Sequence, residues 1–349
     1  MINHYGNHYG LISNVFDRPE ISDILQRKNV GIINWWWLTE EQSHLDNLEK
    51  FIKDQDVCFF LSEEVFQRNS ADINELFKLL NRYNVFYILF SEDYSLTVNP
   101  CPERTFQTPW FFKANLHVPA SFKPDLDYVE KPYDFNLMLG AKKPYRTLLY
   151  KLLKSNKKIY ASYLGHPEFK FESSTHLDDS DIATDLLNQE VENTKLHTMS
   201  FVDRDNVLYP ISHVIPRNIY ANTHFDIVAE TKPEDNIQFL TEKTAKPLAT
   251  GRFFCWFGSP RVKTYLNNFG FEMNDYFYGD FWYDEQDHEF DRLDSLISTI
   301  ELITSDTAHI KKIYDQTRSA RSHNMQVYNR IRRNFDNDLC SWLDSCLQK

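Results

Sequence analysis

The sequence predicts an α/β protein with two domains and a helical C-terminal tail, and three observations indicate it. Its 349 residues suffice for about two domains of ordinary size. Short apolar runs alternate with amphipathic stretches in the first third of the chain and again after residue 133. Between these regions, residues 99–133 lose the periodicity and contain six prolines, as expected for a crossing between domains. We therefore predict domains at residues 1–132 and 133–310 and a helical tail at 311–349.

In the N-terminal region, apolar runs predict buried strands at Asn29–Trp37, Val57–Leu61 and Val85–Phe90. Two segments between them have apolar residues at helical spacing, and they predict helices at Glu40–Lys53 and Ala71–Tyr83. Strands that alternate with helices in this way are typical of a parallel sheet covered by helices. We therefore expect a Rossmann-like N-terminal domain.

The second region repeats the alternation. Its predicted strands are Tyr133–Leu139, Ile159–Leu164, Phe225–Ala229 and Phe253–Phe257, and its predicted helices are Pro144–Lys154, Thr241–Thr250 and Val262–Phe269. Residues 290–349 have a mostly helical pattern. In such sheets, ligands bind outside the carboxyl ends of the strands, so we expect a site there, in a cleft between two Rossmann-like domains.

Composition and charge exclude several classes of protein. Aromatic residues make up 15% of the chain, which is unlike a disordered or low-complexity protein. The net charge of −12 argues against bulk binding of nucleic acid and leaves only a local basic groove for such a role. Five scattered cysteines without a C-x-x-C pair favour a reduced, cytoplasmic protein. No apolar run reaches the roughly 18 residues that span a membrane, and the first residues do not resemble a signal peptide.

Charge is segregated along the second region. Residues 142–158 contain seven cations and no acid, whereas residues 272–294 contain nine acids and the single cation Arg292. Solvated helical faces explain most of these residues. The cations nearest Gly140 differ, because a strand ends and a helix begins there, and free N–H groups with the helix dipole favour anions at such a place.

The segment from Glu230 to Pro260 contains the sharpest motif. A strand delivers Glu230 to its carboxyl end, and Thr241 is a helix N-cap with Glu242 and Lys243 in the first turn. A carboxylate there can accept two hydrogen bonds from a vicinal diol such as a ribose. A neighbouring ammonium can bind a phosphate as a point charge. The next strand ends in the turn Gly258-Ser259-Pro260. A capping role alone would also account for Glu242 and Lys243.

This order of residues resembles the donor-binding segment of GT-B glycosyltransferases, in particular the α-1,3-fucosyltransferase-like group. The resemblance implies two Rossmann-like domains of the GT-B type and a nucleotide-sugar co-substrate. Arg146 matches the position of an arginine that contacts the donor pyrophosphate in that family. By the same resemblance, Glu242 binds the ribose, Lys243 and Arg146 bind the diphosphate, and Glu230 lies near the sugar. The implied donor-binding residues are Arg146, Glu230, Thr241, Glu242, Lys243, Gly258 and Ser259.

The chain departs from the family at Thr231-Lys232, where an Asn-Ser pair is usual, and this leaves the sugar open. The GT-B resemblance implies that no metal or other cofactor is obligatory, because helix N-termini and cations can neutralise the leaving diphosphate. Inversion at the sugar needs a general base, whereas retention needs none. The candidate bases, at strand ends of the N-terminal region, are Glu63, Glu64, Glu92 and Asp93, with His4 and His8 as further possibilities.

Three functions therefore stay open at the level of sequence. The first is a metal-independent glycosyltransferase that acts on a glycan or another hydroxyl acceptor. The second is a phage-type sugar transferase that acts on modified bases in DNA, favoured by the 142–158 cations and opposed by the net charge. The third is a non-catalytic carbohydrate-binding protein, which the aromatic content suits. The tail arginines that favour the second function are Arg318, Arg321, Arg330, Arg332 and Arg333.

Overall fold

The computed structural model describes residues 2–5, 19–34, 45–62, 70–90, 92–93, 101–109, 111, 116, 122–140, 143–163, 200–202, 208–210, 215, 217–231, 233, 237–273 and 282–348. The chain divides into two compact units. Unit 1 comprises Met1–Lys113, Asn236–Phe239 and Ile331–Lys349, and unit 2 comprises Ala114–Asp235 and Leu240–Arg330.

The helices and strands follow in chain order. The first half contains β1 (Ile2–Tyr5), α1 (Pro19–Leu25), β2 (Val30–Asn34), α2 (Leu45–Lys53), β3 (Val57–Ser62), α3 (Ser70–Arg82), β4 (Phe86–Leu89), β5 (Glu92–Asp93), β6 (Thr105–Gln107), β7 (Tyr133–Leu139), α4 (Pro144–Leu153) and β8 (Ile159–Tyr163). The second half contains β9 (Ser200–Val202), β10 (Leu208–Pro210), α5 (Arg217–Asn222), β11 (Thr223–Ala229), β12 (Ile237–Gln238), α6 (Glu242–Thr250), β13 (Phe254–Phe257), α7 (Val262–Asn268), α8 (Glu289–Ser305) and α9 (Thr307–Leu347).

Unit 1 is built on a parallel sheet with the strand order β1-β2-β3-β4-β6. Because side chains alternate across a strand, Ile33, Phe60 and Tyr87 lie on one face. They pack with buried apolar residues of α2 and α3, among them Leu48 and Leu80. These helices therefore cover one face of the sheet, as the alternating sequence predicts.

The end of α9 covers the other face of this sheet. The Trp342 ring contacts those of Phe59, Phe86 and Phe106, with centroid distances of 5.9, 6.0 and 5.6 Å. Phe335, two turns earlier, contacts Phe106 at 6.2 Å. The C-terminal helix therefore contributes directly to the core of unit 1.

Unit 2 contains a second parallel sheet, with the strand order β13-β11-β7-β8. From β7, the chain passes through α4 to β8 on one side, and from β11 it passes through α6 to β13 on the other. The connections diverge between β7 and β11. In open α/β sheets such a point of divergence leaves a crevice at the carboxyl ends of the strands, where ligands bind.

Buried ion pairs occupy the opposite end of this sheet. The guanidinium of Arg252 lies 3.1 Å from the Asp226 carboxylate and 2.6 Å from that of Asp125. The ammonium of Lys131 lies 2.7 Å from the same Asp125 oxygen. Arg321 of α9 donates hydrogen bonds to the carbonyl oxygens of Asp125, Leu126, Gly251 and Tyr314. These contacts bind residues 125–131 into unit 2.

The prediction of an α/β chain with two parallel sheets and a C-terminal helix is confirmed. The strand predicted at Tyr133–Leu139 is β7, and the helix predicted at Thr241–Thr250 begins one residue later as α6. Trp35–Trp37 and Leu164, predicted as strand ends, lie outside the described residues. No helix in the described ranges is long and apolar enough to cross a membrane.

The compact units differ in their bounds from the domains predicted at 1–132, 133–310 and 311–349. Two sets of contacts explain the difference. The ion pairs at Asp125 and Lys131 attach residues 125–131, which precede the predicted boundary at 133, to unit 2. The aromatic contacts of Trp342 attach the end of the last helix, from Ile331, to unit 1.

Candidate functional site

The candidate site lies at the carboxyl ends of β7 and β11, where the chain connections diverge. Gly140 follows β7, and a Cβ atom placed on it would meet no atom of the described residues within 4 Å. Glu230 follows β11. Helices α4 and α6 both begin beside the end of β11, where Tyr145 and Thr241 donate hydrogen bonds to Glu230. The candidate site therefore combines the point where the sheet connections diverge with the starts of two helices.

The carboxylate of Glu230 is fully buried and accepts four hydrogen bonds. One oxygen accepts from the Thr241 N–H at 3.0 Å and from the Thr244 hydroxyl at 2.5 Å. The other accepts from the Thr241 hydroxyl at 2.7 Å and from the Thr231 N–H at 3.2 Å. Glu230 therefore holds the start of α6 against the end of β11. The position of the donor sugar near Glu230 stays a prediction.

Thr241 is the N-cap of α6, as predicted. Its hydroxyl donates its single proton to Glu230 and accepts from the Lys243 N–H at 3.4 Å. The same hydroxyl oxygen accepts from the Lys243 ammonium at 3.0 Å. This chain of contacts fixes the orientation of the first turn.

Glu242 and Lys243 form an ion pair in that first turn, at 3.0 Å. Burial by itself raises the pKa of Glu242, but the ammonium groups of Lys243 and Lys246 outweigh it and lower that pKa to about 2. Burial lowers the pKa of Lys246 to about 8, although Glu242 opposes this. At neutral pH, Glu242 is thus an ionised carboxylate that can only accept hydrogen bonds.

The start of α4 is tied to the same strand end. The Lys143 ammonium donates to the Thr231 carbonyl at 2.7 Å, and the Tyr145 hydroxyl donates to the Glu230 carbonyl. Arg146 is buried, and its guanidinium lies 3.3 Å from the carbonyl oxygens of both Ala229 and Glu230. The structure thus gives Arg146 a role in joining α4 to β11, and its contact with a diphosphate stays a prediction.

Among the residues that the structure describes, cations outnumber carboxylates around this strand end. Four cationic side chains approach it, and two carboxylates accompany them; the cations are Lys143, Arg146, Lys243 and Lys246. Lys243 is the more exposed member of its ion pair with Glu242, with 23% of its side chain exposed against 14%. The local field therefore favours an anionic ligand.

Gly258 and Ser259, also predicted for the donor, are buried in the turn after β13. Arg292 donates to the Gly258 carbonyl at 3.2 Å. Asp284 accepts from the Val262 and Lys263 N–H groups at 2.9 and 3.0 Å, so it occupies the start of α7. Burial raises the pKa of Asp284 to about 6, against the opposing effect of these N–H groups.

Sequence reasoning missed Arg292 and Asp284 as supports of this turn. The only signal for Arg292 is its position as the single cation among nine acids. Asp284 gives no signal of its own, because the N–H groups that it binds are 21 and 22 residues away along the chain. Both side chains act on the turn through buried contacts.

The described residues do not place any of the candidate bases at the candidate site. Glu63, Glu64 and His8 lie outside the described residues. The backbone of Glu92 and Asp93 forms β5, which pairs antiparallel with β12 inside unit 1, and their side chains lie outside the described part. His4 lies in β1. The identity of a base stays a prediction.

Two of the tail arginines invoked for DNA have other contacts. The Arg321 guanidinium is buried among four carbonyl oxygens, and Arg318 forms an ion pair of 2.9 Å with Asp127. Each of these two side chains would therefore have to give up contacts within unit 2 before it could bind a DNA phosphate.

No protein-family model matches this sequence, and no curated protein is significantly similar to it. The resemblance to GT-B glycosyltransferases thus depends on Arg146 and the Glu230–Pro260 segment.

Proposed function

We propose that the chain is a glycosyltransferase that moves a sugar from a nucleotide-sugar donor to a hydroxyl acceptor. The observation that carries the proposal is the first turn of α6, where ionised Glu242 and the ammonium of Lys243 lie side by side at the divergence of the sheet connections. A nucleoside diphosphate offers the complementary pair of groups, a ribose diol and a diphosphate.

In this proposal, Glu242 accepts hydrogen bonds from the ribose and Lys243 binds the diphosphate. An ammonium has three donor hydrogens, and Lys243 directs its own at oxygens of Thr241, Thr231 and Glu242. The contact with Thr231, at 3.4 Å, is the longest of the three. A phosphate oxygen would therefore replace the contact with Thr231 at the lowest cost in free energy.

The reaction proposed is a displacement at the anomeric carbon. The acceptor oxygen forms a bond to that carbon, the bond to the diphosphate breaks, and the electron pair leaves on the diphosphate oxygen. Cations around the end of β11 stabilise the negative charge that develops on the leaving diphosphate. The acceptor proton passes to a base, for which Glu63, Glu64, Glu92 and Asp93 are our candidates. The acceptor is a glycan or another hydroxyl compound.

The experiment is a thermal-shift panel of UDP-, GDP- and CMP-sugars with the folded wild-type chain. We expect one nucleotide class to raise the unfolding temperature, because a ligand that binds only the native state stabilises it. Lys243→Ala should remove most of this shift, whereas Lys311→Ala, an exposed lysine on α9, should keep it. A folded wild-type chain that responds to none of these donors contradicts the proposal.

A further inference from the structure

Two surfaces of unit 2 combine opposite charge with exposed apolar side chains. Six large hydrophobic side chains are exposed within the described ranges, and three of them belong to these surfaces. Leu148 and Leu152 lie on α4, within the cation-rich residues 142–158. Phe290 lies on α8, within the acid-rich residues 272–294. An exposed apolar side chain among charged residues matches the apolar centre and polar rim of a protein–protein interface.

The basic face belongs to α4 and the turn after it. Arg146, Leu149 and Leu153 face the core, so the opposite side of the helix meets solvent. Leu148 and Leu152, one turn apart on that side, are 37% and 49% exposed. Exposed lysines flank them, namely Lys151, Lys154 and Lys157. We call this surface the basic face.

The acidic face belongs to the first turns of α8. Leu293 and Leu296 face the core, while Phe290 is 60% exposed. The His288 ring contacts Phe290 at a centroid distance of 5.6 Å. Exposed carboxylates precede and follow Phe290 along the chain, namely Glu285, Asp287, Glu289, Asp291 and Asp294. Asp287 pairs with the exposed Arg261 at 3.1 Å. We call this surface the acidic face.

The two faces are not positioned to bind each other within one chain. The Asn156 amide, in the turn after α4, donates to the Thr304 hydroxyl at 3.3 Å, so this turn lies at the C-terminal end of α8. Phe290 lies fourteen residues earlier, which is about 21 Å along a helix axis. Within the part of the chain that the structure describes, both faces are therefore open to another molecule.

We propose that the basic face of one copy of this chain binds the acidic face of a second copy. Charge complementarity favours this partner, and both faces offer apolar side chains that can meet at the centre of the contact. A lipid surface or a nucleic acid would suit only the basic face. Because each copy has both faces, the contact is head to tail. This inference is independent of the proposed sugar transfer.

The test is sedimentation velocity of the full chain at 0.1 M and 1 M NaCl, where the Debye length is about 10 Å and about 3 Å. We expect concentration-dependent association at low salt and less of it at high salt. The triple change Lys151→Glu, Lys154→Glu and Lys157→Glu should leave a monomer. So should Asp287→Lys, Asp291→Lys and Asp294→Lys, because each reversal places like charges opposite each other.

Mixing the two reversed variants distinguishes a specific contact from a general charge effect. The mixture should associate again, since each variant keeps one native face and the two reversed faces complement each other. Lys50→Glu, Lys78→Glu and Lys311→Glu together change the net charge as the triple lysine variant does, and this control should associate as the wild type does. A wild-type chain that stays monomeric at 0.1 M salt overturns the proposal. So does a mixture that stays monomeric, or a control that loses association.

Discussion

The His224 ring is buried between two aromatic side chains in unit 2. It stacks parallel to Tyr128 at a centroid distance of 5.4 Å and meets the edge of Tyr314 at 5.7 Å. Its Nδ1 atom has no hydrogen-bond partner among the residues that the structure describes. Burial, with Lys131 next in effect, lowers the pKa of His224 from 6.5 to about 4. The native state therefore holds this side chain neutral.

From this shift we predict a pH dependence of stability. Between pH 6.5 and about 4 the unfolded chain binds a proton that native His224 does not, so the free energy of unfolding falls as the pH falls through this range. The full contribution is about 3 kcal/mol. His224→Phe keeps an aromatic ring and removes the titration. Urea denaturation from pH 7 to 4.5 should give a shallower decline for the variant, and equal declines would contradict the assignment.

The residues of the candidate site differ in how far the sequence could predict them. Thr241, Glu242 and Lys243 are adjacent, and local capping rules place them in one helical turn, where the structure has them. Arg146 and Glu230 are 84 residues apart, and their contact depends on the packing of α4 against β11. Burial of the Glu230 carboxylate could not be predicted, because its partners are set by that packing.

At the scale of elements, Glu230 joins a strand end to a helix start. Its four hydrogen bonds satisfy donors of Thr231, Thr241 and Thr244, two of them backbone N–H groups. Backbone N–H groups at a helix start have no partner inside the helix. The carboxylate therefore supplies partners that α6 cannot supply for itself.

We predict that Glu230→Ala destabilises unit 2 by about 3 kcal/mol or more, because it leaves several buried donors without acceptors. The matched control is Glu301→Ala, an exposed carboxylate on α8, which should change stability by less than about 0.5 kcal/mol. Urea denaturation measures both changes as shifts of the midpoint. If the two variants had equal stability, Glu230 would not hold the start of α6.

For the whole molecule, local elements and compact units depend on different kinds of sequence information. The run Tyr133–Leu139 ends at a glycine, and its bounds are predicted correctly. The unit boundaries depend on contacts between distant residues, such as Arg252 with Asp125, 127 positions away, and Trp342 with Phe59. A single sequence contains no local pattern for such pairs, so the assignment of residues 125–131 to unit 2, and of the end of the last helix to unit 1, required the structure.

The central claim is that Glu242 and Lys243 bind the ribose and the diphosphate of one nucleotide. Isothermal titration of the nucleoside diphosphate, chosen from the sugar panel, tests it most directly when its 2′,3′-dideoxy analogue is titrated in parallel. We predict that Glu242→Ala weakens binding of the ribonucleotide about tenfold or more and leaves the analogue unchanged. Lys243→Ala should weaken both. An equal effect of Glu242→Ala on both ligands would contradict the claim.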